Sequence, residues 1–167
     1  MPLIVKWPGV IKPSSLVTEL VQNLDYAQTF LEIAGASQPK DMQGLSLVPL
    51  MKGEKPTNWR NEIYYHYYEY PKWHMVQPHY GIRTKRFKLI HFYYSMDEWE
   101  LYDLDVDPNE INNLYGKVKY NKLVKLLKKK LKKLQIQYND DMSLDEMRAM
   151  TDVVVERVYN EENLNTR

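Results

Sequence analysis

His66, His74, His79 and His91 are the only histidines of the 167-residue chain, and three of them bracket one aromatic-rich stretch and the loop that follows it. Imidazole can ligate a metal, carry a proton, or hydrogen-bond to hydroxyl and sulfate oxygens. A metal site needs ordered ligand spacing, such as an i, i+4 pair with a third group to complete it. None of the four has such a partner, so no metal ligand is assigned. A polar cluster that contacts a sugar fits the residue types better. Arg83 adds a guanidinium suited to sulfate. The candidate substrate-binding residues are His74, His79 and Arg83, with His66 ranked after them because it lies inside a strand. Trp73, in the same loop, could offer its ring to a sugar, although packing on the sheet is the plainer use. The plain alternative for the whole group is that it pins the loop.

Other chemistry is excluded. The chain has no cysteine, which removes disulfides, thiolate ligands and a Cys nucleophile. No G-x-S-x-G elbow or Gly-rich phosphate loop occurs, and Ser14, Ser15, Ser37, Ser46, Ser95 and Ser143 read as turn or cap residues. Asp103, Asp105 and Asp107 alternate like a calcium loop, but Pro108 and Leu114 stand where that loop needs Gly and Glu; the segment reads as a strand end entering an Asp-Pro turn. With 23 basic against 22 acidic residues the net charge is +1, which argues against a nucleic-acid partner. No apolar run reaches membrane-span length, and residues 1–12 lack the pattern of a secretory leader.

The elements that must position these groups fall into two parts. Residues 3–5 read as a buried strand of the parallel kind, stopped by Pro8-Gly9, and a second strand is expected over 16–21. The sheet that should flank Ile4 is not found in the sequence. A helix is expected over 26–34, with Asn23 and Asp25 as cap candidates, Gly35 past its end, and Tyr26, Ala27, Phe30, Leu31, Ile33 and Ala34 as its buried face. Ser46 caps a short helix over 47–51. After a polar boundary at 53–61 the composition changes. Strands are expected over 63–70, 80–83, 87–93 and 100–104, close enough in sequence for an antiparallel sheet. Leucines and tyrosines at three- and four-residue spacing predict an amphipathic helix over 119–138. Nine lysines fall between Lys117 and Lys133; they read as its solvated face, with a polyanion stripe as the other reading. The tail from 139 is helical over 144–159. The expected organisation is therefore 1–60, 61–138 and a tail 139–167, with an α+β second part in which a small antiparallel sheet is packed by a long helix.

The residues also resemble a known family. The run 1–9 (MPLIVKWPG), the helix 23–35 (NLDYAQTFLEIAG), the segment 43–50 (QGLSLVPL), and the stretches 83–90 (RTKRFKLI) and 100–110 (ELYDLDVDPNE) followed by Asn113-Leu114 are similar, in order, to the C-terminal part of type I, formylglycine-dependent sulfatases. They span about residues 1–138. The segment from His66 to His79 most resembles bacterial N-acetylglucosamine-6-sulfatases and heparan-type sulfatases.

The resemblance implies an α/β, alkaline-phosphatase-like fold of which this chain is the C-terminal portion. It implies sulfuric ester hydrolysis, glycosaminoglycan degradation and a sulfated carbohydrate as substrate. The family's formylglycine precursor, a Cys or Ser in C/S-x-P-x-R, its calcium ligands and its sulfate-binding Lys and His lie upstream of the segment that matches Met1. No such motif is present here, so no catalytic or metal residue is carried over. Calcium and formylglycine are expected in a missing N-terminal sulfatase domain, which is also the expected partner. By resemblance the parent is periplasmic or secreted. The expected role is substrate recognition and packing by an inactive C-terminal piece. The alternatives are a stand-alone carbohydrate- or sulfate-binding module and a structural remnant.

Overall fold

The computed structural model describes residues 3–71 and 74–165, the last five as backbone only. Trp73 lies outside the described residues. The chain divides into two units, Met1–Asn61 and Glu62–Arg167.

In the first unit, α1 (Asp25–Ile33) is followed by the single-turn helix α2 (Val48–Met51). The strands expected over 3–5 and 16–21 do not form; neither segment has a ladder partner among the described residues, and Ile4 is 92% exposed. A strand requires a paired neighbour to satisfy its backbone groups, and none is present among the described residues. The capping expectation is also corrected. Leu24, not Asn23 or Asp25, stands at the N-cap, without a side-chain cap bond. Asp25 lies inside the helix, where its carboxylate accepts from the Gln22 and Leu45 amides at 2.8 Å each and from both Arg60 terminal nitrogens at 2.5 and 2.6 Å. Thr29 donates to the Asp25 carbonyl and accepts from the Leu47 amide. The buried side of α1 is thus polar, Asp25, Gln28 and Thr29, because it must satisfy the loop that runs past it. Of the six apolar residues expected to be buried, Ala27, Phe30, Ile33 and Ala34 are exposed and Tyr26 and Leu31 half-buried; Phe30 and Ile33 line an open groove of about 590 Å³ with Leu3, Ile4 and Val5. Gly35 ends the helix at φ +64°, and the Ala36 amide reaches back to the Leu31 carbonyl, the left-handed cap for which glycine is suited. Leu47, Leu50 and Trp59 form the unit's small core.

The second unit is an antiparallel sheet in the order β1 (Glu62–Tyr67), β2 (His79–Thr84), β3 (Phe87–Phe92), β4 (Glu98–Asp103). A 3-10 turn (Val118–Tyr120) leads into α3 (Asn121–Gln137), and α4 (Leu144–Asn165) follows. Because side chains alternate along a strand, the register sorts the sheet into rows. Tyr64, Ile82, Leu89 and Leu101 stand opposite one another, as do His66, Tyr80, His91 and Trp99. Together with Leu127 and Leu131 of α3 and Met147 of α4, members of these rows form the core. Residues 140–152 therefore pack on this unit. Ser143 and Glu146 open α4 with a reciprocal capping box. Asp103 is taken by Arg86 in two bonds, and Asp107 accepts from the Ile111 and Asn112 amides, so these carboxylates hold a turn.

Candidate functional site

The sheet register decides which candidate residues share a face. On the face opposite α3 the rows are Tyr67, His79, Phe92, Glu98; Tyr65, Gly81, Ile90, Glu100; and Ile63, Arg83, Lys88, Tyr102. His79 and Arg83 are brought to this face of β2. They are four residues apart, roughly 13 Å along the strand. His66 falls on the other face and is not part of this group.

His79, expected in the loop, is the first residue of β2. Its ring stacks on Tyr67 at 5.4 Å and 20°, and meets Phe92 at 5.0 Å. Nδ1 donates to the Gln77 carbonyl at 2.8 Å, and Nε2 has no partner among the described residues. Burial pushes its pKa below the ordinary histidine range, against the smaller pull of the Gln77 carbonyl. Neutral at pH 7, Nε2 is a hydrogen-bond acceptor. It suits a hydroxyl or amide N–H and does not itself supply positive charge to a sulfate. Arg83 is exposed on the same face and can donate to an anion in bidentate fashion. Gly81 between them has a packing reason: a Cβ there would lie 2.5 Å from the Tyr65 hydroxyl and 2.6 Å from the Leu89 carbonyl. Tyr65 therefore lies close over the strand.

His74 is exposed in the loop between β1 and β2. That loop is held by its neighbours. Tyr70 packs on Tyr94 at 5.6 Å, the Gln77 side chain accepts from the Ser95 hydroxyl at 2.7 Å, and the Pro78 carbonyl accepts from the Tyr93 amide. The loop is thus tied to the β3–β4 turn.

His66 is an interior residue. Nδ1 donates to Asp140 at 2.7 Å, Nε2 meets the Tyr93 hydroxyl at 2.9 Å, and Asp140 also accepts from the Tyr64 hydroxyl. Both ring nitrogens are engaged, and the side chain is 8% exposed. It ties β1 to the turn between α3 and α4.

Sequence reasoning missed a second imidazole network. His91 accepts from the Tyr80 hydroxyl at Nδ1 and donates from Nε2 to Asp97, both at 2.7 Å. Its ring stacks on Trp99 at 4.1 Å. Arg148 of α4 bonds Asp97 and the Tyr93 carbonyl. These partners lie up to 55 residues apart in sequence, and no local spacing announces them. Burial holds His91 below the usual histidine range although Asp97 pulls the other way.

The two depressed histidines set a pH dependence. An unfolded histidine protonates near about 6.5. A folded-state value below that means the stability is present above about pH 6.5 and is lost as pH falls through the folded values. The urea midpoint of the second unit is expected to fall between pH 7.5 and 5.5. A midpoint that rises over that interval contradicts the buried neutral rings. Asp97, held below the carboxylate range first by its bond to His91, adds a loss only at lower pH.

Among the described residues no three His, Asp or Glu side chains converge as metal ligands. No described helix is long and apolar enough to cross a membrane.

The family model described as N-sulphoglucosamine sulphohydrolase, C-terminal, matches residues 1–137. The N-acetylglucosamine-6-O-sulfatase of Bacteroides thetaiotaomicron is 50% identical over 143 residues, covering 84% of this chain and 26% of that protein. The Delta 4,5-hexuronate-2-O-sulfatase of the same organism is 31% identical over 134 residues, with coverage of 74% and 26%. A solved structure, BT4656 in complex with its substrate D-glucosamine-2-N,6-O-disulfate, superposes with a TM-score of 0.79 at 48% identity, over 83% of this chain and 28% of that one. The chain spans about a quarter of the length of the curated relatives it matches.

Proposed function

Because this chain belongs to the N-sulphoglucosamine sulphohydrolase C-terminal family and has the fold of the alkaline-phosphatase-like sulfatases, we propose that it is the C-terminal portion of an enzyme hydrolysing sulfate esters of a sulfated glycan. A 6-O-sulfated glucosamine unit is the leading substrate. The observation that carries this reading is the 50% identity to the N-acetylglucosamine-6-O-sulfatase across most of the chain.

In this reading the chain contributes recognition and packing, and the catalytic centre lies in the remaining three quarters of the enzyme. His79 accepts a hydrogen bond from a sugar hydroxyl or amide, Arg83 holds an anionic group, and His74 reaches the glycan from its loop. The groove lined by Phe30, Ile33 and residues 3–5 is the packing surface. Contiguous exposed apolar area of this kind marks an interface, here with the catalytic domain.

The test is a fusion. The upstream part of the Bacteroides thetaiotaomicron enzyme is joined to this chain in place of its own C-terminal segment. The isolated 167-residue chain is expected to give no turnover of an aryl sulfate or of glucosamine 6-sulfate, and the fusion is expected to hydrolyse both. Turnover by the purified chain above a blank overturns the placement of the catalytic centre. A folded fusion with formylglycine installed and no activity overturns the C-terminal role.

A further inference from the structure

Residues 117–133 hold nine lysines and no carboxylate, in a chain whose net charge with them included is only +1. Lys117 and Lys119 precede α3, and the structure sorts the seven lysines within the helix into two groups. Lys128 lies 3.7 Å over the Trp99 ring and donates to the Tyr115 hydroxyl, and Lys130 pairs with Glu62 at 2.9 Å. These two flank the face that packs on the sheet. Lys122, Lys125, Lys129, Lys132 and Lys133 are all exposed. At 100° and 1.5 Å per residue they fall within an arc of about 100° and run for about 16 Å along α3. Lys132 reaches the Asp141 carbonyl; none of the five pairs with a carboxylate among the described residues.

A solvated helix face does not require this pattern. Mixed Glu and Lys would serve solubility and add favourable pairs, whereas Lys125 with Lys129, and Lys129 with Lys132 and Lys133, are like charges at positions that repel. A row of unneutralised ammonium groups on one rigid helix is complementary to a polyanion.

The type of polyanion follows from the rest of the face. The opposite side of α3 buries Leu127, Leu131 and Gln135 against the sheet and its neighbours, so the helix has no free apolar side with which to enter a bilayer interface. The apolar residues of α3 exposed beside the lysines are Leu126 and Ile136. They offer no aromatic ring on which a nucleobase would stack. Lysines act as mobile point charges, which suits sulfates spaced along a flexible polymer.

We propose that the solvent face of α3 is a docking surface for a linear sulfated polysaccharide, on the side of the sheet opposite His79 and Arg83. Lys122, Lys125, Lys129, Lys132 and Lys133 neutralise successive sulfates and hold the polymer by charge. The choice of a sulfated polymer rests on the sulfatase reading, while the surface itself rests on the lysine geometry.

The test uses the full chain and size-fractionated heparin, with titration calorimetry at several salt concentrations. In one variant Lys125, Lys129, Lys132 and Lys133 are all changed to Gln, which keeps helix propensity nearly unchanged. In a control variant Lys12, Lys40, Lys52 and Lys55, all exposed in the first unit, are changed to Gln for the same change in net charge. The α3 variant is expected to lose at least about tenfold in affinity, with a shallower salt dependence, and the control to stay within about twofold. Single Lys129→Gln, expected to lose about twofold, supplies the result if the quadruple variant fails to fold by circular dichroism. Absence of heparin binding by the parent chain, equal weakening in both variants, or no loss in Lys129→Gln and the α3 variant overturns the proposal. So does equal or tighter binding of unsulfated hyaluronan, a single-stranded oligonucleotide or anionic phospholipid vesicles. The readout is binding without turnover. An active fusion with an unaffected α3 variant therefore removes this surface and leaves the sulfatase reading standing. An inactive fusion with heparin binding lost in the α3 variant does the reverse.

Discussion

Asp25→Ala is expected to lower the stability of the first unit by about 3–5 kcal/mol, the loss that follows when one partner of a buried ion pair is removed. Asp25 is 0% exposed and Arg60 12% exposed on their side chains. The carboxylate accepts four bonds: two from Arg60, one from the Gln22 amide and one from the Leu45 amide. It thereby joins α1, the segment before it, the loop at 45 and the chain at 60, and its loss leaves the guanidinium and two amides without their acceptor. Arg60→Ala is expected to cost a similar amount, since it leaves the carboxylate buried without its cation. Asp25→Asn keeps the shape and one acceptor oxygen and is expected to lie between Asp25→Ala and the parent. Native-state amide exchange at Leu45 and Leu47, whose N–H groups bond Asp25 and Thr29, measures the effect locally. Protection factors unchanged to within about tenfold in Asp25→Ala would refute the assignment, because 1.4 kcal/mol is tenfold and the expected loss is more than twice that.

The same residue shows where sequence reading stops. The helix around it is legible from its spacing and from Gly35, whereas Asp25 reads from sequence as a cap, a position that Leu24 takes. That its carboxylate would instead be sealed against Arg60, 35 residues away, has no local signal. The exposed apolar face of α1 has a related cause: periodicity shows that Phe30 and Ile33 need a partner and does not identify it. In the second unit the hairpins and α3 were legible because alternation, turn residues and leucine spacing are local patterns. The strand boundaries moved where the rows required it. β4 begins at Glu98 rather than 100, which places Trp99 opposite His91, and β1 ends at Tyr67 rather than 70, where Tyr68 is exposed and Tyr70 turns to Tyr94. His66 lies inside a strand, and only the register shows which face it takes. The networks around His66 and His91 depend on Asp140 and Arg148, from a stretch whose sequence gave little pattern beyond a helix. Polar partners brought together only by the tertiary fold are invisible to spacing arguments.

The largest change in activity is expected for the residues proposed to recognise the glycan, tested in the fusion enzyme. Arg83→Ala removes a charge-assisted donor, an interaction worth about 1.5–3 kcal/mol, so kcat/KM on the natural glycan is expected to fall about 10- to 150-fold. His79→Ala removes a single neutral acceptor, worth about 0.5–1.5 kcal/mol, and a fall of about two- to tenfold is expected. The roughly 13 Å between the two residues means that they meet different parts of a chain of sugars. A small aryl sulfate cannot reach both, so its hydrolysis should change little in either variant. His74→Ala, in the loop tied to residues 93–95, is expected to act in the same direction as His79→Ala. His79→Gln separates recognition from packing: it returns an acceptor without the ring that stacks on Tyr67. Restored glycan activity with a lowered melting temperature assigns the Nε2 acceptor to the substrate. Arg83→Lys, which keeps the charge and loses the planar fork, should recover only part of the loss. If glycan and aryl sulfate activities fall in the same ratio in all three alanine variants, or if only stability falls, these residues hold the sheet and its loop together and do not read the sugar.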